Sequence, residues 1–274
     1  MLTLPSLPAA VRVLDDAETR WLRDLYPDLP MSLGNCVTCK GATRFRWLDD
    51  AGQPADYECN CADQFLAHRF LLNAGIELHY QRLRWDDADG IPPDALSVIE
   101  DYIAHVEQYV ATGLGLVLWG TFGTGKTLAS ALLLKAVLGQ GTDGFFTTMH
   151  TLLDRFTEGW EKREAATWFN FRIRNAGLLV IDDIGREHAG RNAVAESTLD
   201  HVLRSRVASD RPTIITTNRT PEELVTLYAR QAMSLITEST IMHEFRGTDF
   251  RPENQTRRVR EARQGLVRPI TFGA

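Results

Sequence analysis

The 274-residue sequence predicts an α/β fold in which helices flank a parallel β-sheet. Two observations lead to this prediction: short apolar runs alternate with helical stretches from residue 114 onward, and a glycine-rich loop joins the first run to the next helix. Apolar runs of this length are typical of strands buried on both faces of a sheet, although a single run is also compatible with a buried helix. The predicted strands are residues 114–119, 145–149, 178–181 and 213–217.

The N-terminal third lacks this alternation and predicts a smaller module ahead of the sheet. A helical pattern at residues 15–25 ends before two prolines, and a cysteine-bounded insert occupies residues 36–61. A helix within residues 62–84, a proline-bearing hinge at 86–93 and an amphipathic helix at 94–112 lead into the first strand. The predicted domains are an N-terminal module at 1–85, a core domain at 86–251 and a basic C-terminal tail at 252–274.

Composition and charge narrow the class of protein. With 44% hydrophobic and 24% charged residues the chain is globular, and it contains no apolar run of about 18 residues that would predict a transmembrane helix. The N-terminus lacks the basic start and apolar stretch of a signal peptide, so we expect a cytoplasmic protein whose four cysteines are reduced. A net charge of −6 argues against nucleic-acid binding over the whole surface, but leaves room for a local basic groove.

Residues 120–127 read Gly-Thr-Phe-Gly-Thr-Gly-Lys-Thr and match the phosphate-binding pattern G-x-x-x-x-G-K-[ST]. The glycines allow backbone N–H groups to turn towards phosphates, Lys126 reaches the β- and γ-phosphates, and the Thr127 hydroxyl ligates Mg²⁺. The loop lies between a predicted strand and a predicted helix at 127–138, whose N-terminus favours an anion. We therefore expect ATP and Mg²⁺ to bind here, through Gly120, Thr121, Phe122, Gly123, Thr124, Gly125, Lys126, Thr127 and Leu128.

Two later strand ends carry the polar groups that nucleotide hydrolysis needs. The apolar run at 178–181 ends in Asp182 and Asp183, which would hold Mg²⁺ and polarise the attacking water, respectively. The run at 213–217 ends in Asn218, which would hydrogen-bond the γ-phosphate or that water. Each signal alone is weak, because strands often end in Asp or Asn at a turn. Their order after the phosphate-binding loop favours an ATPase.

With these motifs, the chain resembles the DnaC/DnaI/IstB branch of AAA+ ATPases, which comprises bacterial replicative-helicase loaders and transposase helper ATPases. The resemblance covers residues 36–251 and rests on the phosphate-binding loop, Leu-Val-Ile-Asp-Asp-Ile-Gly at 179–185, Arg-Pro-Thr-Ile-Ile-Thr-Thr-Asn at 211–218 and Gly-Thr-Asp-Phe-Arg at 247–251. It implies a AAA+ P-loop core and an ATP-dependent loader of a DnaB-type replicative helicase, and the overall pattern is phage-like. Many AAA+ proteins have Glu where Asp183 stands, so the shorter side chain implies slow or partner-stimulated hydrolysis.

The resemblance also implies two arginine roles. In this branch an arginine that ends a Gly-x-x-Tyr/Phe-Arg segment approaches the nucleotide of its own subunit, and Arg251 holds that place, although a surface arginine in a basic tail fits equally. The arginine finger lies on the helix after Asn218, where two arginines stand four residues apart. Here Arg230 matches the first and Ser234 replaces the second. Either Arg230 or Arg246 acts across a homo-oligomer interface, or the finger is missing and Arg230 is an ordinary surface residue.

The cysteines form one cluster, Cys36-x-x-Cys39 and Cys59-x-Cys61, and every cysteine of the chain belongs to it. Two close pairs of thiolates suit a tetrahedral Zn²⁺, which would hold together a segment too small for a core of its own. Reduced free thiols are the alternative, and His68 is a possible substitute for one thiolate. The resemblance implies that such a zinc module binds the helicase. A site with four cysteines leaves no open position for catalysis, which also favours partner binding.

Aromatic and basic residues interleave at 160–174, between the second and third predicted strands. Trp168 and Arg172 would there stack on single-stranded DNA and neutralise its phosphates, whereas the alternative is a helix with core aromatics and solvated arginines. The resemblance supports the DNA interpretation, because DnaA- and DnaC-like proteins carry an extra helix near this place that faces single-stranded DNA.

Three other functions fit parts of the sequence. Within the family the alternative is a transposase helper ATPase. Outside it are a zinc-bearing adaptor that binds nucleotide without significant catalysis and a P-loop kinase of a small molecule. A kinase would need an acceptor pocket and an arginine-rich lid, and it would not need the strand end Thr-Thr-Asn at 216–218.

Overall fold

The computed structural model describes residues 44–49, 51–58, 61–186, 192–266, 268 and 270–272. Its first element is an antiparallel hairpin of β1 (Arg44–Leu48) and β2 (Pro54–Glu58), which lies inside the cysteine-bounded insert. Asp49 closes the turn between these strands, because its carboxylate accepts the backbone N–H groups of Ala51 and Gln53 at 2.9 and 2.8 Å.

Helical elements fill the chain between the hairpin and the sheet: α1 (Cys61–Asn73), α2 (Leu78–Gln81), a 3₁₀ turn (Trp85–Gly90), α3 (Pro93–Ala104) and α4 (Val106–Ala111). The single helix predicted at 94–112 is thus two helices, because the backbone leaves the helical conformation at His105. The apolar pattern hides this break, because Tyr102 before it and Val106 after it are both buried.

Five parallel strands form the central sheet: β3 (Gly115–Gly120), β4 (Gly144–Thr148), β5 (Leu178–Ile184), β6 (Thr213–Thr217) and β7 (Thr240–Phe245). Their order is β4-β5-β6-β3-β7. The connecting helices are α5 (Lys126–Gly139), α6 (Met149–Glu158), α7 (Arg163–Phe169), α8 (Asn192–Val207) and α9 (Pro221–Ser239), and α10 (Arg251–Arg263) follows β7. The predicted α/β fold with a parallel sheet is confirmed, and β7 is a strand that the sequence did not reveal.

Apolar side chains cover both faces of the sheet. Leu116 and Leu118 of β3 share one core cluster with side chains of α1, α3 and α5, whereas Val117 shares the other with α6, α8 and α9. Successive residues of the central strands therefore all face apolar neighbours, which explains why these strands read as continuous apolar runs. The edge strand β7 contains His243 and Glu244, so it does not form such a run.

The segment ahead of the sheet is packed onto it. The N–H of Phe146 on the edge strand β4 donates to Ala74 O at 2.7 Å. Gly75, with φ +74°, leaves no room there for a side chain, because a Cβ would lie 2.0 Å from Phe146 O. The buried Lys135 of α5 donates Nζ to three carbonyls of this segment, those of Tyr80, Gln81 and Leu83, at 3.1, 3.1 and 2.6 Å. The predicted domain boundary at residue 86 stays a prediction. The contacts above join residues 74–83, which precede this boundary, to the core domain.

Among the described residues, no helix combines the length and apolar character needed to cross a bilayer.

Candidate functional site

The phosphate-binding loop joins β3 to α5 and packs against the segment that follows β7. Gly123 and Gly125 have φ angles of +77° and +91°, which favour glycine over any residue with a side chain. A Cβ on Gly123 would lie 1.9 Å from Asp249 Oδ1, and the Gly123 carbonyl accepts the N–H of Phe250 at 3.1 Å. The loop is therefore held in shape by the residues immediately before α10.

Lys126 is the first residue of α5 and lies over its own loop. Its Nζ donates to Gly120 O at 2.9 Å and to Thr121 O at 2.6 Å. Burial lowers the pKa of Lys126 to about 8, against the opposing influence of Asp183 and Asp182. The ammonium group and the N-terminus of α5 together offer positive charge to a phosphate.

Thr127 and Asp182 bring two oxygen ligands together beside Lys126. The Thr127 hydroxyl donates to Asp182 Oδ2 at 3.2 Å, and the hydroxyl of Thr216 on β6 donates to Asp182 Oδ1 at 2.6 Å. Burial raises the pKa of Asp182, while both hydroxyl contacts favour its charged form. Hydroxyl and carboxylate oxygens are the donors that Mg²⁺ prefers, so this pair fits the cation.

Tyr80 reaches the same place from α2. Its hydroxyl hydrogen-bonds Thr127, and burial raises the pKa of Tyr80 to about 12, which keeps the phenol neutral at physiological pH. The carbonyl of Tyr80 is one of the three that Lys135 holds. The segment ahead of the sheet thus contributes a neutral hydroxyl next to the predicted Mg²⁺ ligands.

Asp183 follows Asp182 at an irregularity of β5, where the pairing with β6 shifts between Ile181 and Ile184. Its backbone has φ +61°, and its N–H donates to Thr216 Oγ1 at 2.9 Å. Both carboxylate oxygens are engaged: Asn218 Nδ2 donates to Oδ1 at 2.8 Å, and Arg186 Nη1 donates to Oδ2 at 2.9 Å. The two polar groups expected at the γ-phosphate, Asp183 and Asn218, are therefore in direct contact.

These residues line a pocket of about 580 Å³, which lies within the range of small-molecule sites. Its lining includes Lys126, Thr127, Asp183 and Asn218 together with residues of α2, the 3₁₀ turn and α10. Arg251 at the start of α10 also lines the pocket, is largely exposed, and has Asp249 as its neighbouring carboxylate at 4.0 Å.

The segment predicted as a basic tail forms a wall of this pocket. The side chain of Asp87 in the 3₁₀ turn is 1% exposed and receives Arg257 of α10 at 3.0 Å and Arg268 at 2.5 Å. Arg268 also pairs with Glu261 of α10. A buried carboxylate with two guanidinium partners is fully compensated, so it fixes α10 against the segment ahead of the sheet.

Several predicted site residues lie elsewhere. Arg230 is exposed on α9, in a separate surface depression that it shares with Ser234, Val225 and Met233. Arg246 is exposed and pairs with Glu244 on β7. Neither arginine lines the nucleotide pocket of its own chain among the described residues.

The predicted zinc ligands Cys36, Cys39 and Cys59 lie outside the described residues, and Cys61 is the first residue of α1. His68, the possible substitute ligand, is 2% exposed, and its Nδ1 lies 2.6 Å from Gln81 Oε1. Gln81 in turn donates Nε2 to Ile76 O at 2.7 Å, so His68 belongs to a buried polar chain between α1 and α2.

The aromatic and basic stretch at 160–174 divides into packed and exposed members. Trp168 is half-buried, lies edge-on to Phe145 and has the Arg155 guanidinium 5.3 Å from its ring centroid. Arg172 hydrogen-bonds Asn73 of α1. Trp160 and Phe171 are 67% and 62% exposed, and the Arg172 guanidinium lies 5.3 Å from the ring centroid of Phe171.

Sequence reasoning missed several contributors to the pocket, among them Thr216, Arg186, Tyr80 and Asp87. Thr216 could have been found, since it stands two residues before Asn218 and strand side chains alternate, which puts both on one face. Arg186 could have been noticed three residues after Asp183. Tyr80 and Asp87 gave no local signal, because their partners Thr127 and Arg268 are far away in the chain.

Comparison with known proteins identifies the family. Residues 100–261, more than half of the chain, match the family model described as IstB-like ATP binding protein. The replicative helicase loader DnaI of Bacillus subtilis (strain 168) is 24% identical over 134 residues, which are 48% of this chain and 42% of that protein. The alignment therefore spans less than half of that relative.

Solved structures share the fold. The crystal structure of the DnaC helicase loader has a TM-score of 0.56 at 22% identity and covers 62% of this chain and 100% of that one. A putative primosome component from Streptococcus pyogenes serotype M3 has a TM-score of 0.51 at 21% identity and covers 62% and 89%, respectively. The matched family and the shared fold confirm the resemblance drawn from the motifs: the chain belongs to the IstB-like ATP binding protein family and is a DnaC/IstB-like AAA+ protein.

Proposed function

We propose that this protein is an ATP-dependent loader of a DnaB-type replicative helicase, and that it binds and hydrolyses ATP to control how the helicase engages single-stranded DNA. The observation that carries the ATPase part is the convergence of Lys126, Thr127, Asp183 and Asn218 on one pocket, with Asp182 hydrogen-bonded to Thr127. The loader part rests on the similarity to a protein named as a replicative helicase loader.

Each side chain of the pocket has a defined task in this proposal. When bound, ATP supplies the γ-phosphoryl group, and Mg²⁺ supplies positive charge at the phosphates. Lys126 neutralises the β- and γ-phosphates, while Thr127 and Asp182 hold the Mg²⁺. Asp183 polarises the attacking water, and Asn218 hydrogen-bonds the γ-phosphate or that water. Arg251 approaches the phosphates of its own subunit from α10.

Hydrolysis is expected to be slow without a partner. Both oxygens of Asp183 already accept hydrogen bonds, from Asn218 and Arg186, so the attacking water must share the carboxylate with these donors or displace one of them. The side chain is also one methylene shorter than the Glu of many AAA+ proteins. Such a site suits a protein in which bound ATP acts as a switch, and in which the helicase and DNA control the rate of hydrolysis.

We propose that the cysteine cluster holds one structural Zn²⁺ and that this N-terminal module contacts the helicase. The hairpin supports the proposal, because pairing of Arg44 with Glu58 draws the two ends of the insert together. Cys59 directly follows Glu58, and Cys39 precedes Arg44 by five residues. Four thiolates would close the tetrahedral site and leave no position for a reacting water.

We propose that single-stranded DNA contacts the stretch 160–174 through its exposed members. Trp160 and Phe171 offer exposed ring surface for stacking, with the Arg172 guanidinium over the Phe171 ring, and the exposed Arg163 offers charge for a phosphate. Trp168 and Arg172 are better regarded as supports of this surface, since they contact Phe145 and Asn73, respectively. Binding should weaken with salt and with Phe171→Ala, but not with Trp47→Ala, an equally exposed aromatic on the hairpin.

Phosphate release separates the loader from its alternatives. The wild type, Lys126→Ala and Asp183→Asn are compared with and without a DnaB-type helicase and single-stranded DNA. We expect stimulated release by the wild type, no tight ATP binding by Lys126→Ala, and normal ATP binding with suppressed release by Asp183→Asn. Arg204→Ala, which removes an exposed arginine of α8 paired with Asp200 at 2.7 Å, is the matched control.

Each alternative gives its own result in this assay. Stimulation by a transposase but not by a helicase would indicate a transposase helper. Tight nucleotide binding without release under any condition would indicate an adaptor. Release that requires a small-molecule acceptor would indicate a kinase.

A further inference from the structure

Arg186 makes two contacts that no motif predicts. Its Nη1 donates to Asp183 Oδ2 at 2.9 Å, and its guanidinium lies 5.8 Å from the ring centroid of Phe122 in the phosphate-binding loop. Arg186 also lines the nucleotide pocket. The side chain therefore lies between Phe122 of the phosphate-binding loop and the predicted water-polarising carboxylate.

This position is at the γ-phosphate end of the pocket. Lys126, which reaches β- and γ-phosphates in such loops, has its Nζ on Gly120 O and Thr121 O. Arg186 lines the same pocket as Lys126 and bonds Asp183 at 2.9 Å, so its guanidinium lies on the side of the pocket where Lys126 and Asp183 would meet the last phosphate. Asp183, its ion-pair partner, is the residue expected to touch the attacking water there.

The pair of Arg186 and Asp183 is exposed enough to exchange partners. Their side chains are 58% and 32% exposed, and ion pairs with this much solvent access contribute little to stability. The other oxygen of Asp183 keeps its bond from Asn218 when Arg186 departs. A γ-phosphate carries more negative charge than a carboxylate, so it competes well for the guanidinium.

We propose that Arg186 is a catalytic residue that acts in cis: it leaves Asp183 for the γ-phosphate when ATP binds, and it stabilises the charge that develops there during hydrolysis. The inference rests on the proposed ATPase function and specifies how its site is regulated. One movement would release Asp183 Oδ2 for the water and supply the positive charge that an arginine finger supplies elsewhere. It offers a reason why the chain tolerates Ser234 where its family has a finger arginine.

The step balances with the groups named. The oxygen of water forms a bond to Pγ, and the bond from Pγ to the oxygen that bridges it to Pβ breaks. The water proton passes to Asp183 Oδ2, which Arg186 has vacated, and then to the released phosphate. Arg186 donates N–H groups to the non-bridging oxygens of the transferred group, and ADP leaves with the bridging oxygen.

Nucleotide affinity tests the inference without reference to turnover. The full-length wild type and Arg186→Gln are titrated with ADP and with a non-hydrolysable ATP analogue, both with Mg²⁺. We expect Arg186→Gln to bind the analogue roughly tenfold to a hundredfold more weakly, as for a lost charge-assisted hydrogen bond, and to bind ADP as the wild type does. Arg186→Lys should recover part of the difference, and Arg204→Gln should match the wild type.

Turnover and subunit mixing complete the test. Arg186→Gln should lower ATP hydrolysis by about a thousandfold, the lower end of the effect of an arginine on phosphoryl transfer. Mixing Arg186→Gln with Lys126→Ala subunits should restore nothing, because every intact phosphate-binding loop then lacks its own Arg186.

Three outcomes would overturn the inference. Faster hydrolysis by Arg186→Gln would mean that Arg186 only blocks Asp183, and equal losses of affinity for ADP and the analogue would mean that Arg186 does not contact the γ-phosphate. Recovery of hydrolysis on mixing would mean that Arg186 acts in trans. Each of these leaves the proposed ATPase intact. A wild type that binds neither nucleotide would instead overturn the proposed function itself and the inference with it.

Discussion

The hydroxyl of Thr216 on β6 donates to Asp182 Oδ1 on β5 at 2.6 Å and accepts the backbone N–H of Asp183 at 2.9 Å. One threonine thus orients both acids at the end of the neighbouring strand. Asp182 is buried, and burial raises its pKa, so each hydrogen bond to its carboxylate favours the charge that Mg²⁺ requires.

Thr216→Val should therefore weaken Mg²⁺-dependent ATP binding and lower the free energy of unfolding by about 1–3 kcal/mol, the cost of leaving buried polar groups without a partner. Urea unfolding and nucleotide titrations over a range of Mg²⁺ concentrations measure both effects. Thr226→Val is the control, because Thr226 is exposed on α9 and bonds only the carbonyl of Glu222 on its own helix. Unchanged stability together with unchanged Mg²⁺ dependence would show that Thr216 has no such role.

ATP affinity should depend on pH through Lys126. The pKa of Lys126 is lowered to about 8 by burial, so its charge is present below pH 8 and lost above it. ATP binds the charged form, and the affinity should therefore fall as pH rises from about 8 to 10. Lys126→Arg should bind more weakly because of its different shape, but its affinity should stay level over this range, since arginine keeps its charge. A wild-type affinity that is also level would contradict the assignment of Lys126.

Stability should depend on pH through Lys135. Burial lowers the pKa of Lys135 to about 7, against 10.5 for an ordinary lysine. Between these values the unfolded chain binds more protons than the folded one, so this residue makes the free energy of unfolding rise with pH. Compared with Lys135→Met, the wild type should gain stability from pH 7 to about pH 10.

The measurement is urea unfolding of both proteins at several pH values. Lys162→Met is the control, because Lys162 is exposed and pairs with Glu158 at 3.0 Å on the surface. Lys135→Met should also be less stable overall, since the carbonyls of residues 80–83 lose the N–H donors of Lys135. A stability difference that does not change with pH would mean that Lys135 keeps an ordinary pKa in the folded protein.

The parts of the site that the sequence predicted are those in which neighbouring residues carry the signal. Lys126 and Thr127 follow a glycine-rich loop, and Asp182, Asp183 and Asn218 end apolar strands, so the chemistry is visible within a few positions. The parallel sheet then brings these strand ends together at one edge, as its alternation with helices implies.

The rest of the pocket depends on contacts between distant parts of the chain. Asp87 meets Arg268 across 181 positions, and nothing beside either residue indicates the pair. The run of arginines near the C-terminus looked like a solvated tail for this reason, although α10 lines the pocket. Strand β7 escaped notice because an edge strand need not be apolar on both faces.

We predict about one Zn²⁺ per chain, bound by Cys36, Cys39, Cys59 and Cys61. A chelator should unfold the cysteine-bounded insert at 36–61 while ATP binding persists, because a zinc site of this size supplies the stability of its own segment, whereas residues within 79–90 belong to the nucleotide pocket. Elemental analysis of protein purified without chelators measures the content. Cys59→Ser should lose the metal and His68→Asn should keep it, since His68 is bonded to Gln81. Zinc-free wild-type protein would end the zinc proposal.

The last prediction concerns Arg230 and the oligomer. Arg230 is exposed on α9, in a depression with Val225, Met233 and Ser234, and does not line the nucleotide pocket of its own chain. If subunits assemble so that this face meets the pocket of a neighbour, Arg230 supplies a finger in trans, and Arg230→Ala should lower turnover. A full finger contributes roughly three to five powers of ten.

Mixing Arg230→Ala with Lys126→Ala subunits tests this directly. The Arg230→Ala subunits keep an intact phosphate-binding loop, and the Lys126→Ala subunits lend them Arg230, so the mixture should recover part of the activity. Arg186, which serves its own subunit, should give the opposite result in the same assay. Normal turnover by Arg230→Ala alone, with no gain on mixing, would remove Arg230 from the mechanism and leave Arg186 or Arg246 to stabilise the transferred phosphate.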